Sequence, residues 1–410
     1  MTKSVGAWAR FIYPAMRHFR RKRGQMLPPQ RPGTETLNAC VSLRRARLQA
    51  LLLCAVVAAC SPAPVVQAQG SAVKDWRVHA GNPVIQAGSM RERAIWNDPS
   101  VLRLADGQLA MYLTSSTVEP FKPPILPFRA VSRDGLSWTL DPAGPLLTTA
   151  GTPYINIETP TVVRFRGRWH MYFMGVLAPG SVPASHIGHA VSDDGLRWQL
   201  DPQGIQAVAA TGKVSDWNGF LVSEPGAVVF KDRIYLYFHA LGARPGGKPP
   251  QLSSIGLATT DDGTHFSPAK PVLTQSEALF PPAAGYAGYA TVSAAVHEGR
   301  VHLFYNVVAN PKLSGSDIEQ VALHHSVSDD GETAWRQDPK PIFQRSDFDW
   351  TEGGIISPTV LIEDGKVKMW FAGHMSKLSF VKLMLSGWKG RQFGIGYAET
   401  PLDSLARARP

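Results

Sequence analysis

A unit of three strand-like runs recurs five times between residues 96 and 400, and this repeat confines the chain to architectures built from equivalent modules. Each copy opens on a short polar step, usually ending in proline, that runs into an apolar strand. The openings are WNDPSV (96–101), IETPTV (157–162), SEPGAV (223–228), TVSAAV (291–296) and ISPTV (356–360). A tight hairpin leads to a second strand: LAMYL, WHMYF, IYLYF, VHLFY or VKMWF. A third follows: FRAVS, IGHAVS, IGLATT, ALHHSVS or IGYAET. Four copies then carry an Asp-Gly turn, usually with an aromatic after it: SRDGLSW, SDDGLRW, TDDGTHF and SDDGETAW. Pro99, Pro160, Pro225 and Pro358 set a repeat of roughly 60–70 residues, the range of propeller blades. The strands alternate with a period of two and are rich in aromatic and β-branched residues, and no long amphipathic helix pattern interrupts them.

The ends of the repeat predict how it closes. Copies one to four finish in a fourth-strand pattern, WTLDPAGPLLT, WQLDPQGIQAV, FSPAKPVLT and WRQDPKPIFQ, whereas the fifth stops at GYAETPLDSL. A matching segment, WRVHAGNPVIQ (76–86), lies ahead of the first copy. The sequence therefore predicts an all-β fold, a five-bladed β-propeller of four-stranded blades whose ring is closed by an N-terminal strand. Closure hides the edges that an open sheet would expose.

Charge and cysteine place the chain in a compartment. The formal charge is +10, but residues 1–50 hold 11 of the 42 Lys and Arg and one of the 32 acidic residues, so the remainder carries 31 of each. A neutral domain has no nucleic-acid footprint. Arg44, Arg45 and Arg47 precede the apolar run LQALLLCAVVAA, which is too short for an ordinary transmembrane helix and reads as an export signal. The run ends at Val57-Ala58-Ala59-Cys60, which resembles a bacterial lipoprotein box and implies a lipid on Cys60 after cleavage. The other reading is an ordinary signal peptide cut near Ala68, and the basic stretch 1–40 is compatible with translation starting near Met26 or Val41. The expected organisation is a basic extension and lipoprotein-type signal over 1–59, a flexible tether over 60–74 and the propeller over 75–405. Cys40, Cys54 and Cys60 all precede the propeller, which leaves it no disulfide and no cysteine metal site. An exported monomer at the periplasm or cell surface is expected, touching the membrane only through its N-terminal lipid.

The chemistry gathers in the steps before the prolines. Counting back from the second strand sets Asp98, Thr159, Glu224 and Ser357 at one structural position. Blade four lacks the proline, and there Val292 falls nearest with Thr291 beside it. Two carboxylates from nonadjacent blades thus reach one end of the channel. Glu158 precedes Thr159 by one residue, so it either points away from the channel or is turned inward by a bulge. Cleavage of a glycosidic bond needs such a set, a base or nucleophile facing an acid of raised pKa. Asp-Pro before a strand is also a common turn, so either residue alone is as readily structural. Their shared repeat position makes them candidates. The Asp-Gly segments read as blade-stabilising turns.

Loops leading into the blades are expected to wall the pocket with Trp96, Asn97, Tyr154, Asn156, Trp217, Asn218, Tyr286, Tyr289, Trp350 and Glu352, beside Thr159 and Ser357. Rings that stack on sugar CH faces and amides that bond hydroxyls suit a carbohydrate, although such residues also serve as ordinary core packing. His189, His239, His324 and His374 lie on predicted strands without metal spacing and read as core or channel-lining residues.

These motifs resemble the glycoside hydrolase family 43 group and its relatives, the family 32 invertase-type and family 117 enzymes, over residues 76–400. WNDPSV is similar to the invertase-type first-blade motif, which implies that Asp98 is the nucleophile; in family 43 it would be the general base. SEPGAV is similar to the third-blade acid motif, which implies that Glu224 is the proton donor. The second blade departs from both patterns, with Thr159 where Asp is expected before the proline and Glu158 as the available substitute. The third blade has Glu-Pro-Gly where the families favour Glu-Gly-Pro or Glu-Cys-Pro. The family 43 channel histidine has no counterpart in GGIISPTV, so neither a channel calcium nor another cofactor is expected. The chain leaves no room for the β-sandwich of invertase-type enzymes, and the single-domain shape of family 43 or 117 fits better.

Two function classes stay open at this point: a glycan-cleaving enzyme, and a catalytically silent propeller that binds glycan or protein. A glycoside phosphorylase would need a basic phosphate pocket, for which only Arg91 and Arg93 lie near.

Overall fold

The computed structural model describes residues 75–117, 122–213, 215–242, 252–274, 286–309, 320–338, 340–374 and 393–406. Two short strands, β1 (Arg77–Val78) and β2 (Ile85–Gln86), precede five antiparallel units. The first unit is β3 (Asn97–Arg103), β4 (Leu109–Ser116), β5 (Ile125–Ser132) and β6 (Thr139–Leu140). The second is β7 (Asn156–Phe165), β8 (Arg168–Val176), β9 (Ser185–Ser192) and β10 (Gln199–Leu200). The third is β11 (Leu221–Phe230), β12 (Arg233–Gly242), β13 (Leu252–Thr260) and β14 (Lys270–Leu273). The fourth is β15 (Tyr286–His297), β16 (Arg300–Ala309) and β17 (Gln320–Ser328), with β18 (Arg336–Gln337) and β19 (Phe343–Gln344) both on β17. The fifth is β20 (Gly354–Glu363), β21 (Lys366–His374) and β22 (Phe393–Pro401). The outer edge of β22 takes the N-terminal strands, Arg77 opposite Glu399 and Ile85 opposite Ile395. The segment 76–86 therefore supplies the outer strand of the last blade. The inner strands follow one another about an axis: β3 beside β7, β7 beside β11, β11 beside β15, β15 beside β20, and β20 beside β3 again.

The second strand of each blade lies between neighbouring blades, so it is buried on both faces and loses the alternation of a half-exposed strand. In β4 every residue of LAMYLTSS is buried. The central aromatic of this strand fastens one blade to the next. Tyr112, Tyr172 and Tyr237 donate their hydroxyls to the carbonyls of Gly195, Gly263 and Gly331 in the Asp-Gly turn of the following blade, at 2.9, 2.7 and 2.7 Å. Trp370 Nε1 does the same to Gly135 at 2.8 Å, joining blade five to blade one. The aromatic after each turn meets these rings edge-on: Trp198 on Tyr112, Phe266 on Tyr172, Trp335 on Tyr237 and Trp138 on Trp370. Blade five has no Asp-Gly turn, and Tyr305 bonds Ser326 within its own blade instead.

The turns are themselves rigid. Asp134 Oδ1 accepts the N–H groups of Leu136 and Ser137, both at 2.8 Å, and Asp194, Asp262 and Asp330 repeat this cradle. The Ser137 and Leu136 N–H groups hold the Asp134 carboxyl down to about 2, as expected of a carboxylate that accepts several backbone bonds. The Asp-Gly segments are thus inter-blade fasteners. Cys60 and the rest of residues 1–74, and the side chain of Tyr286, lie outside the described residues.

Candidate active site

Every inner strand breaks its register near the axis, between Asn97 and Ser100, Glu158 and Thr161, Ser223 and Gly226, Ala290 and Val292, and Ile356 and Thr359. In four of them the residue before the proline is left-handed, with φ of 53° at Asp98, 49° at Thr159, 50° at Glu224 and 47° at Ser357. Such a conformation is uncommon for a residue with a side chain, and strain of this kind concentrates at functional sites. The bulge re-aims each side chain towards the axis. The result is a small cavity of about 30 Å³ lined by Asp98, Thr159, Glu224, Thr291 and Ser357 and the residue following each.

A hydrogen-bonded arc links the two carboxylates through blades three, four, five and one. Glu224 Oε2 accepts the Thr291 N–H at 3.0 Å. Thr291 Oγ1 and Asn306 Oδ1 both accept the Ser357 N–H, at 3.2 and 3.0 Å. Ser357 Oγ donates to Asp98 Oδ1 at 2.7 Å, and Thr114 Oγ1 donates to Asp98 Oδ2 at 2.7 Å. Blade two stands outside the arc: Thr159 Oγ1 is buried with no partner among the described residues. One layer further in, Ser100, Thr161 and Thr359 each accept the backbone N–H of a neighbouring blade, from Val162, Ala227 and Val101. Blade three has Gly226 in that layer because a Cβ there would run into the Val292 carbonyl. This accounts for the unusual Glu-Pro-Gly.

Burial pushes the Asp98 carboxyl up to about 6, against the opposing bonds from Ser357 and Thr114 and with a smaller push from the Glu224 charge. Because the folded value exceeds the ordinary 3.8, the linked stability is fully present below about pH 3.8 and is lost as pH rises through about 6. Asp98→Asn cannot ionise. It is expected to unfold later than the wild type near pH 8, by up to about 3 kcal/mol, and to match it near pH 3.5. Thermal melts at the two pH values check this; a variant less stable at both would contradict it.

A thermostable family-43 glycoside hydrolase superposes with a TM-score of 0.52 at 16% identity, covering 71% of this chain and 88% of that one. The GH43_1 enzyme from Xanthomonas citri complexed with xylose gives 0.51 at 15%, covering 78% and 88%. The beta-1,2-mannobiose phosphorylase from Listeria innocua, in complex with beta-1,2-mannobiose, gives 0.58 at 11%, covering 81% and 98%. The chain shares their fold. No protein-family model and no curated protein sequence matches it.

Within this propeller, several expected wall residues lie elsewhere. Trp96 is 1% exposed, donates Nε1 to Ser89 O and packs edge-on against Phe128. Tyr289 is fully buried and bonds Thr274 O and Gln337 Oε1. Tyr154 is buried against Phe173, with its hydroxyl on Ile205 O. Trp217 stacks on Phe238, and Asn218 is buried. Trp350 stacks on Phe348 and Phe371 and borders a separate cavity beside β1 and β2. Each is a large or amide side chain at a strand entrance that the blades cover. Glu158 is not among the residues lining the axial cavity; Asn156 Nδ2 donates to its Oε1 at 2.7 Å. Asn97 is also off the cavity, its Oδ1 buried without a partner among the described residues. Asn156 is fully buried and Glu352 exposed. His189 is buried between His170 and Asp201, and His324 and His374 are buried too or nearly so.

Two partners of the carboxylates were absent from the expected wall. Thr114 faces Asn97 across the β3–β4 pair, and His239 faces Ser223 across the β11–β12 pair. The usable signal was the hairpin register, which places both residues one step from a bulged carboxylate. Among the described residues no group of three or more His, Cys, Asp and Glu is arranged to hold a metal ion.

Proposed function

We propose that this chain is a glycoside hydrolase that cleaves an oligo- or polysaccharide of envelope, plant or algal origin, with Asp98 as base or nucleophile and Glu224 as general acid. The observation that carries this reading is the placement of both carboxylates at the same left-handed position of two nonadjacent blades, facing one cavity. With its carboxyl pushed up to about 6, Asp98 is ionised at neutral pH yet basic enough to take a proton from water, or to attack a sugar carbon directly. The stereochemistry of the product separates the two roles: inversion assigns the base and retention the nucleophile. The fold shared with family-43 enzymes supports a carbohydrate ligand without specifying it.

A second reading, a silent propeller that binds glycan or protein, draws support from Thr159, a hydroxyl where related motifs place a third carboxylate. Phosphorolysis is less well supported. Arg91 is engaged with Ser115 Oγ and Ser116 O and lies over the Phe128 ring, and Arg93 is exposed. The deciding experiment is a screen of the protein on aryl furanosides, xylosides, galactosides and fructans. Release of sugar by the wild type supports the hydrolase, and binding without cleavage supports the silent propeller. We place the protein outside the cytoplasm on a lipid at Cys60. Cys60→Ser is expected to move it from the membrane fraction to the soluble fraction, and unchanged fractionation with intact signal cleavage would rule the anchor out.

A further inference from the structure

His239 stands behind the proposed proton donor, at the position that faces the start of the blade-three bulge. The residue opposite the start of each bulge is Thr114 in blade one, Met174 in blade two, His239 in blade three, Asn306 in blade four and Ala372 in blade five. It is polar in both blades whose bulged residue is a carboxylate and in blade four, where Asn306 accepts the Ser357 N–H of the next blade, and apolar where the bulged residue is Thr159 or Ser357. His239 Nδ1 lies 3.2 Å from Glu224 Oε2 and 3.0 Å from Ser223 Oγ, and Nε2 lies 3.0 Å from Ser253 Oγ. Ser223 and Ser253 are both buried, and the imidazole is 13% exposed, so its orientation is fixed from both ends.

Glu224 Oε2 also accepts the Thr291 N–H, while Oε1 has no partner among the described residues. A carboxylic acid has one acceptor oxygen and one that carries the proton. Oε2 takes the Thr291 N–H and has His239 Nδ1 at 3.2 Å, so it is the acceptor and the proton is confined to Oε1. We infer that His239 is the positioning residue of Glu224: it accepts a hydrogen bond from the Ser253 hydroxyl at Nε2, holds the Nδ1–H tautomer, and turns that N–H, shared with Ser223 Oγ, towards Oε2. This rests on the reading of Glu224 as general acid. When Oε1–H passes its proton to the leaving oxygen, the electron pair of that O–H bond stays on the carboxylate, and the Thr291 and His239 N–H groups are already in place to hold the new charge. No other proton need move in that step. His239 in this way supports the donor in a chain whose second blade offers no third carboxylate to the cavity.

The tautomer is tested without any substrate. A long-range 1H–15N spectrum of histidine-labelled protein near pH 7, with His239 assigned by its disappearance in His239→Asn, is expected to show the Nδ1–H form. An Nε2–H form would overturn the proposal. Activity supplies the second test. His239→Ala is expected to slow cleavage of an alkyl glycoside by about 10- to 100-fold, the worth of one hydrogen bond to a charged group. It is expected to spare the 2,4-dinitrophenyl glycoside, which needs little protonation. His239→Asn, whose amide places an N–H where Nδ1 stood, is expected to restore most of the loss. Equal losses on both substrates, or no rescue by Asn, would reduce His239 to a packing residue. Glu224→Gln run beside them separates the failures: full turnover in that variant overturns the acid assignment and leaves the tautomer result standing.

Discussion

Asp98→Asn and Glu224→Gln are each expected to lower turnover of a cleaved glycoside by about 100- to 10,000-fold, the range contributed by a positioned acid or base. The fold should survive both changes, because an amide can keep bonds to Ser357, Thr114 and Thr291 in these positions. The two variants differ in their response to the leaving group. Glu224→Gln should recover most of its loss on a 2,4-dinitrophenyl glycoside, whereas Asp98→Asn should not, since a better leaving group does not replace a base or nucleophile. The wild-type pH profile carries the same assignment. Asp98 must be ionised to work, so kcat/KM should fall as pH drops through about 6, where its buried carboxyl takes up a proton. Steady-state kinetics on the two substrates from pH 4 to 9 check all three statements. A Glu224→Gln variant equally impaired on both substrates would contradict the acid role.

Trp370→Ala is expected to destabilise the protein by about 3–5 kcal/mol, the usual loss for emptying a buried aromatic site. Trp370 is fully buried, meets Trp138 edge-on and bonds Gly135 O, so its removal opens the seam between the last blade and the first. Trp370→Phe keeps most of the volume and loses the hydrogen bond, and about 0.5–1.5 kcal/mol of the effect belongs to that bond. Urea unfolding of the two variants beside the wild type measures both. An Ala variant within about 1 kcal/mol of the wild type would show that the seam contributes little to stability.

The blades were legible because the repeat writes the same hydrophobic strands, Asp-Gly turns and proline steps each time, and backbone pairing follows from that pattern. The N-terminal strand was legible as the one element the fifth copy lacked, and Arg77 and Ile85 pair where it was needed. The proline steps also located the cavity. The direction of individual side chains was not legible. In an unbroken strand neighbours point to opposite faces, but a two-residue bulge resets that alternation, so counting could not say whether Glu158 or Thr159 turns inward. The left-handed φ of Thr159 settles it. Trp96 and Tyr289 were misplaced for a related reason: an aromatic at the mouth of a strand looks the same in sequence whether it lines a pocket or fills the space between blades. His239 was seen only as a strand histidine, because its relation to Glu224 depends on the cross-strand register rather than on spacing along the chain. In blade one the same register brings Thr114 to Asp98, so reading the facing residue of each bulge would have found both.

The proposed function has Asp98 and Glu224 acting together on a glycosidic bond in the axial cavity. Its most direct measurement is sugar release by the wild type and by identically purified Asp98→Asn across the aryl furanosides, xylosides, galactosides and fructans. At least one substrate is expected to be cleaved by the wild type, and this cleavage to be at least about 100-fold slower in the variant. Equal cleavage by the two proteins, or a wild type that binds these sugars and cleaves none, would contradict it.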